Sequence, residues 1–137
     1  MKLVLHCSDH RVEKANLWKL IKDHIIPPHE RWQPIGVLGG PIALAHPAEL
    51  PIDFAYLIRQ IEFAKEQFKP DGFVAVGHDC GYYSEVTKIT GHEFSLDDKI
   101  SDMLLIARLL ENRFKLPVSL YFRKPGRPGF DQIPNQA

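Results

Sequence analysis

Phe73-Val74-Ala75-Val76-Gly77-His78-Asp79-Cys80-Gly81 is the stretch on which the fold turns. Four consecutive apolar residues with no polar alternation read as a strand buried on both faces, which belongs in a parallel sheet covered by helices. A histidine and a cysteine follow at once, one residue apart. The same pattern opens the chain, where Leu3-Val4-Leu5 runs into His6-Cys7-Ser8-Asp9-His10-Arg11. The chain has only two cysteines, and both stand at these strand ends. The simplest reading is one zinc ion shared by Cys7, His78 and Cys80.

Outward from that strand, apolar residues at Phe54, Leu57, Ile58, Ile61, Ala64 and Phe68 follow the i, i+3, i+4, i+7 spacing of an amphipathic helix over 53–68. Lys69-Pro70-Asp71-Gly72 then turns the chain into the strand. Upstream, helical spacing predicts a helix over 12–26, stopped by Pro27-Pro28, and 34–41 reads as a strand closing in the pair Gly39-Gly40. No Gly-Lys-Ser/Thr and no spaced triple glycine follows, which argues against a phosphate loop. Downstream, 82–94 has weak periodicity and is assigned no more than a short helical turn. Ser95-Leu96-Asp97-Asp98 opens a helix to about 114 that is apolar nearly all round, more than one core face requires, so either the domain covers two of its faces or, the favoured reading, one face meets a second copy of the chain. Residues 116–122 form a last strand.

Alternating strands and helices imply an α/β fold: three layers, with a mostly parallel four-stranded sheet in the order 2-1-3-4 and helices on both faces. That order sets Cys7 beside His78 and Cys80 at the carboxyl ends of neighbouring strands, where such sheets bind ligands. The expected organisation is a single domain over 1–122 and an irregular Pro/Gly-rich tail over 123–137.

At 137 residues the chain can bury roughly two-thirds of its unfolded surface and needs no disulfide to fold. Lys plus Arg balances Asp plus Glu at 17 each, which gives no electrostatic footprint for nucleic acid. The one basic cluster, Arg123-Lys124-Pro125-Gly126-Arg127, reads as a solvated tail. No run approaches the ~18 apolar residues of a membrane span. A cytoplasmic setting is expected, in which reduced thiols serve as metal ligands or in catalysis rather than as a disulfide. The absence of Cys-x-x-Cys makes a redox pair of Cys7 and Cys80 the weakest alternative.

Asp9 lies two residues beyond Cys7, on the same side of an extended segment, where it can bind a metal or orient a water. Arg11 offers the planar fork that keeps a carboxylate ionised and fixed. Cys7-Ser8-Asp9-His10-Arg11 resembles the Cys-x-Asp-x-Arg motif of the β-class carbonic anhydrases, and Gly77-His78-Asp79-Cys80-Gly81 resembles their His-x-x-Cys-Gly motif, with one residue rather than two between histidine and cysteine. Gly36 to Pro41 takes the place of that family's glycine-containing second strand, and Ile61-Glu62-Phe63-Ala64 that of the helix before the histidine strand. The resemblance implies zinc on Cys7, His78 and Cys80, with Asp9 and Arg11 as the catalytic pair and carbon dioxide and bicarbonate as substrates, in a homodimer or higher homo-oligomer. Carbonyl sulfide or carbon disulfide hydrolysis on the same scaffold is a close variant. A non-catalytic metal- or anion-binding homologue is the alternative of a different class. His6, His10, His46 and His92 are candidate proton relays. Tyr82 and Tyr83 are read either as lining a pocket mouth or as packing residues.

Overall fold

The computed structural model describes residues 1–8, 22–23, 25–26, 29–124, 126 and 129–135. The expected helix over 12–26 falls largely outside the described residues, as do Asp9, His10 and Arg11. Five strands form one sheet in the order β2-β1-β3-β4-β5. They are β1 (Lys2–Cys7), β2 (Trp32–Val37), β3 (Gly72–His78), β4 (Val118–Arg123) and β5 (Asp131–Ile133). The first four run parallel. The order 2-1-3-4 read from the sequence is the order observed.

β1 and β3 are buried along nearly their whole length, whereas β4 alternates buried and half-buried positions. Unbroken apolar runs therefore mark the central strands, which are covered on both faces. On one face Leu3, Leu5, Phe73, Ala75, Leu120 and Phe122 pack against α1 (Pro51–Phe68) and α3 (Leu96–Phe114). On the other, Val4, Val74 and Val76 pack with Ile26, with Trp32, Tyr121 and Phe130 around them. α1 buries Leu57, Ile58, Ile61 and Ala64 and stops at Lys69 in the left-handed conformation. α3 opens with a capping box: the Asp98 N–H donates to Ser95 Oγ and the Ser95 N–H to Asp98 Oδ2. That box satisfies two of the helix's orphan donors and fixes where its first turn points.

Two expectations need correction. The sheet has a fifth strand: β5 runs antiparallel beside β4, with Ile133 opposite Leu120, so the segment expected to be an irregular tail closes one edge. The glycines counted there as disorder-prone are turn residues, Gly126 and Gly129 having positive φ. Asn135 Nδ2 then ties the strand's end to the Val118 carbonyl at 3.0 Å. Second, α2 (Tyr83–Thr90) is a full two-turn helix, where only a helical turn was expected. It buries just Tyr83 and Val86, too few for a periodic signal. Much of the apolar surface of α3 is used within the chain: Met103, Ile106, Ala107 and Leu110 are buried, and Ile100, Leu104 and Leu109 pack at the core's margin, while Leu96 and Leu105 stay exposed. Further exposed apolar side chains stand near the β2 edge, at Leu38, Tyr56 and Phe63. Among the described residues no helix is long and apolar enough to cross a membrane.

Candidate metal centre

The sheet opens where the ligands stand. β1 pairs with β2 as far as Cys7 and Val37, and β3 with β4 as far as His78 and Arg123, but the ladder between β1 and β3 ends at Leu5 and Ala75. Beyond it the two central strands part, leaving a gap at their carboxyl ends at the point where strand order reverses. Cys7 enters this gap from β1 and His78 from β3, with Cys80 two residues further on. Their ligand atoms all lie within 4.8 Å of one another. Both cysteines are buried, and no disulfide joins them.

The residues fit a cation. His78 Nε2 is buried and has no hydrogen-bond partner among the described residues, and such an orphan costs about 1–3 kcal/mol. A metal ion on that nitrogen removes the deficit. Two cysteine sulfurs and one imidazole form a donor set typical of zinc, and a tetrahedral ion asks for about 3.6–3.8 Å between ligand atoms. The three atoms are therefore within about an ångström of closing on it. Among the described residues the group has three members.

The surroundings favour negative charge on sulfur. Cys80 stands just ahead of α2, and the Tyr82 N–H donates to Cys80 Sγ at 3.4 Å, so the sulfur sits at the positive end of the helix dipole. The Cys80 carbonyl accepts from the Tyr83 N–H at 3.1 Å. Over Cys7 lies the glycine pair. Gly39 and Gly40 both have positive φ and lead into a 3-10 helix, Gly40–Ala45. A Cβ on Gly40 would stand 2.9 Å from the Cys7 nitrogen, and one on Gly39 would stand 2.6 Å from the Tyr82 ring. The glycine pair thus comes close to Cys7 and to Tyr82, two residues beyond Cys80.

Of the residues expected at the site, Cys7, His78 and Cys80 are brought together, and Asp9 and Arg11 lie outside the described residues. His6 is buried, its Nδ1–H donating to the Cys7 carbonyl at 3.0 Å. His92 is far more exposed and meets Asp98 at 3.2 Å. His46 Nε2–H donates to Asp102 Oδ2 at 2.7 Å, and the Tyr83 hydroxyl donates to the same oxygen at 3.0 Å. Tyr83 is buried with Cys7, Ile42 and Cys80, and burial first, then Asp102, drives its pKa far above the phenol range. Tyr82 donates to Asp53 at 2.6 Å, and its pKa is pushed up to about 12, by burial first and then by that carboxylate. It lines a cavity of about 360 Å³ with Val37, Leu38, Ala43 and Leu57. Tyr83 packs in the core and also lines a second cavity, of about 480 Å³, with Cys80, Phe94 and Lys99, so both tyrosines line pockets and Tyr83 is a packing residue as well.

Sequence reasoning missed Lys99 and Asp102. Asp102 is only 6% exposed, and its signal is a carboxylate set among the apolar residues of α3. Lys99 pairs with Asp79, the single residue between the ligands, and lies 5.1 Å from the Tyr83 ring centroid.

The fold is similar to that of a solved carbonic anhydrase from Glaciozyma antarctica, with a TM-score of 0.57 over 96% of this chain and 80% of that one, at 15% identity. At that identity the likeness is one of fold. No family model matches the chain, and no curated protein matches it.

Proposed function

We propose that this chain is a zinc-dependent lyase that interconverts carbon dioxide and bicarbonate. The observation that carries the reading is His78, whose Nε2 is buried without a hydrogen-bond partner among the described residues and which offers a ring nitrogen within 4.8 Å of two cysteine sulfurs. It lies at the strand-order switch of a sheet folded like that of a carbonic anhydrase. In this reading Cys7, His78 and Cys80 hold the ion and leave a fourth position open. Zinc bound there supplies a Lewis acid that brings the pKa of water from about 15.7 toward about 7, making a nucleophile available at neutral pH. Asp9, kept ionised by Arg11, accepts a hydrogen bond from the incoming water and turns a lone pair toward the substrate carbon. The new C–O bond forms as one C=O pair shifts onto oxygen, a proton leaves to solvent, and bicarbonate departs. Two thiolates require a reducing compartment, which fits the cytoplasm. The apolar groove beside edge strand β2, where Leu38 is 68% exposed, is the face on which we place a second copy of the chain.

The test is zinc content per chain together with carbon dioxide hydration in the same sample. We expect about one zinc per chain, as one three-ligand site requires, with hydration above the uncatalysed rate, and Cys80→Ser losing both. Asp9→Asn should keep the metal and lose the rate. Zinc with hydrolysis of carbonyl sulfide or carbon disulfide but no hydration would move the reading to that substrate class. Zinc with neither activity would leave a metal-binding homologue, and no zinc after reconstitution would overturn the site.

A further inference from the structure

One residue separates the two ligands on the β3 side: His78 ends β3, and Cys80 lies in the turn 79–82 beyond it. The turn is held locally by the Tyr83, Ser84 and Glu85 N–H groups on the Cys80, Gly81 and Tyr82 carbonyls, by Ser84 Oγ on the Gly81 carbonyl and by the Tyr82 hydroxyl on Asp53. A second grip, on the residues either side of Cys80, comes from α3. Lys99 and Asp102 are three apart on that helix and so share a face. Lys99 is 14% exposed and ion-pairs with Asp79 on one side of Cys80, its ammonium also over the Tyr83 ring. Asp102 accepts from the Tyr83 hydroxyl on the other side of Cys80 and from His46 at the end of the 3-10 helix whose Gly40 covers Cys7. The capping box at Ser95 and Asp98 fixes the start of α3, one residue ahead of Lys99.

We propose that Lys99 and Asp102 are positioning residues for the metal loop: by holding Asp79 and Tyr83 they set Cys80 against His78, which the β3–β4 ladder already fixes, at the spacing that closes a three-ligand site across one intervening residue. The inference rests on the metal reading above and adds the device that makes the short spacing workable. It is separable from simple stabilisation. The Lys99–Asp79 pair is half open to water on the Asp79 side, at 47% exposure, and such pairs contribute little to global stability. Outer groups that orient metal ligands, by contrast, typically change metal affinity by about 10- to 100-fold.

The experiment uses the full chain stripped of metal and titrated with Co²⁺, read by the thiolate-to-cobalt charge-transfer band and the visible ligand-field bands. Lys99→Met and Tyr83→Phe should each weaken Co²⁺ binding by about 10-fold or more and weaken the tetrahedral ligand-field bands, with the thermal midpoint of Lys99→Met little changed. Lys99→Arg, which keeps the charge and the stacking on Tyr83, should recover most of the affinity. The second readout needs no metal: in a Cys7→Ser background, Cys80 should react several-fold faster with an aromatic disulfide reagent in Lys99→Met than in its parent. Wild-type Co²⁺ affinity and spectrum in both variants, with unchanged labelling, would overturn the positioning role. A wild-type chain that takes up no cobalt while labelling still accelerates would overturn the metal reading and leave the grip on the loop established.

Discussion

Gly40→Ala is the substitution that most directly asks whether the glycine pair exists to let the 3-10 helix close over Cys7. Two costs are combined at this position. Gly40 has φ +57, and a left-handed backbone costs an L side chain about 1–2 kcal/mol. The added Cβ would also lie 2.9 Å from the Cys7 nitrogen and 3.2 Å from the His6 carbonyl carbon. Those are backbone atoms of a buried strand, so strand or helix must shift, at a cost of about 1–3 kcal/mol. The sum is about 2–5 kcal/mol. Gly91 provides the control, because it has φ +74 with nothing within 4 Å of the added Cβ, so Gly91→Ala carries the strain alone, about 1–2 kcal/mol. The assay is urea unfolding of both variants with and without excess zinc, alongside zinc affinity by chelator competition. Moving Cys7 should weaken zinc binding, and each tenfold loss of affinity removes about 1.4 kcal/mol of zinc-linked stabilisation. Gly91→Ala should keep the full zinc increment. Equal destabilisation of the two variants, with equal zinc affinity, would refute the close-approach argument.

Two further expectations follow from the same geometry. The Tyr82 phenol ionises at about 12 in the folded chain against its usual 10, so its contribution to stability is complete below pH 10 and disappears as pH climbs to about 12, because the unfolded chain gives up the proton first. Urea midpoints across pH 9–12 should therefore fall more steeply for wild type than for Tyr82→Phe, and parallel curves would remove Tyr82 from the pH dependence. The second concerns self-association. Leu38→Lys and Phe63→Lys together place charge in the apolar groove beside β2 and should shift light-scattering mass toward the monomer, whereas a monomeric wild type would contradict the interface placed there.

The central strands were legible because burial on both faces removes alternation: Leu3-Val4-Leu5 and Phe73-Val74-Ala75-Val76 leave no polar position to mistake for a solvent face. What escaped the sequence were elements too short for a period. α2 shows the core only two side chains, and β5 has three residues within a segment whose prolines and glycines read as disorder until the chain is seen to reverse there. Lys99 and Asp102 escaped for another reason. On a one-dimensional reading a lysine and an aspartate near a helix start are solvated charges, and only packing α3 against the loop gives each of them a partner.

The metal centre divides along the same line. His78 and Cys80, at i and i+2, fall on one side by parity if the chain stays extended, and although β3 ends at His78 and Cys80 lies in the turn beyond it, their nearness follows from the sequence. Cys7 does not follow in that way. It shares parity with Leu3 and Leu5, which face α1 and α3, whereas His78 shares parity with Val74 and Val76, which face the other side. Had β1 and β3 stayed paired to their ends, the sheet itself would stand between thiol and imidazole. They meet because the ladder stops at Leu5 and Ala75, two residues short of Cys7, and the strands part. That opening follows from topology: β1 is drawn toward β2 and β3 toward β4, each by a ladder that continues to its last residue. The crevice is a consequence of the 2-1-3-4 order, so a sequence reading that recovered the order had set Cys7 beside His78 and Cys80 without being able to see why the two sides could touch.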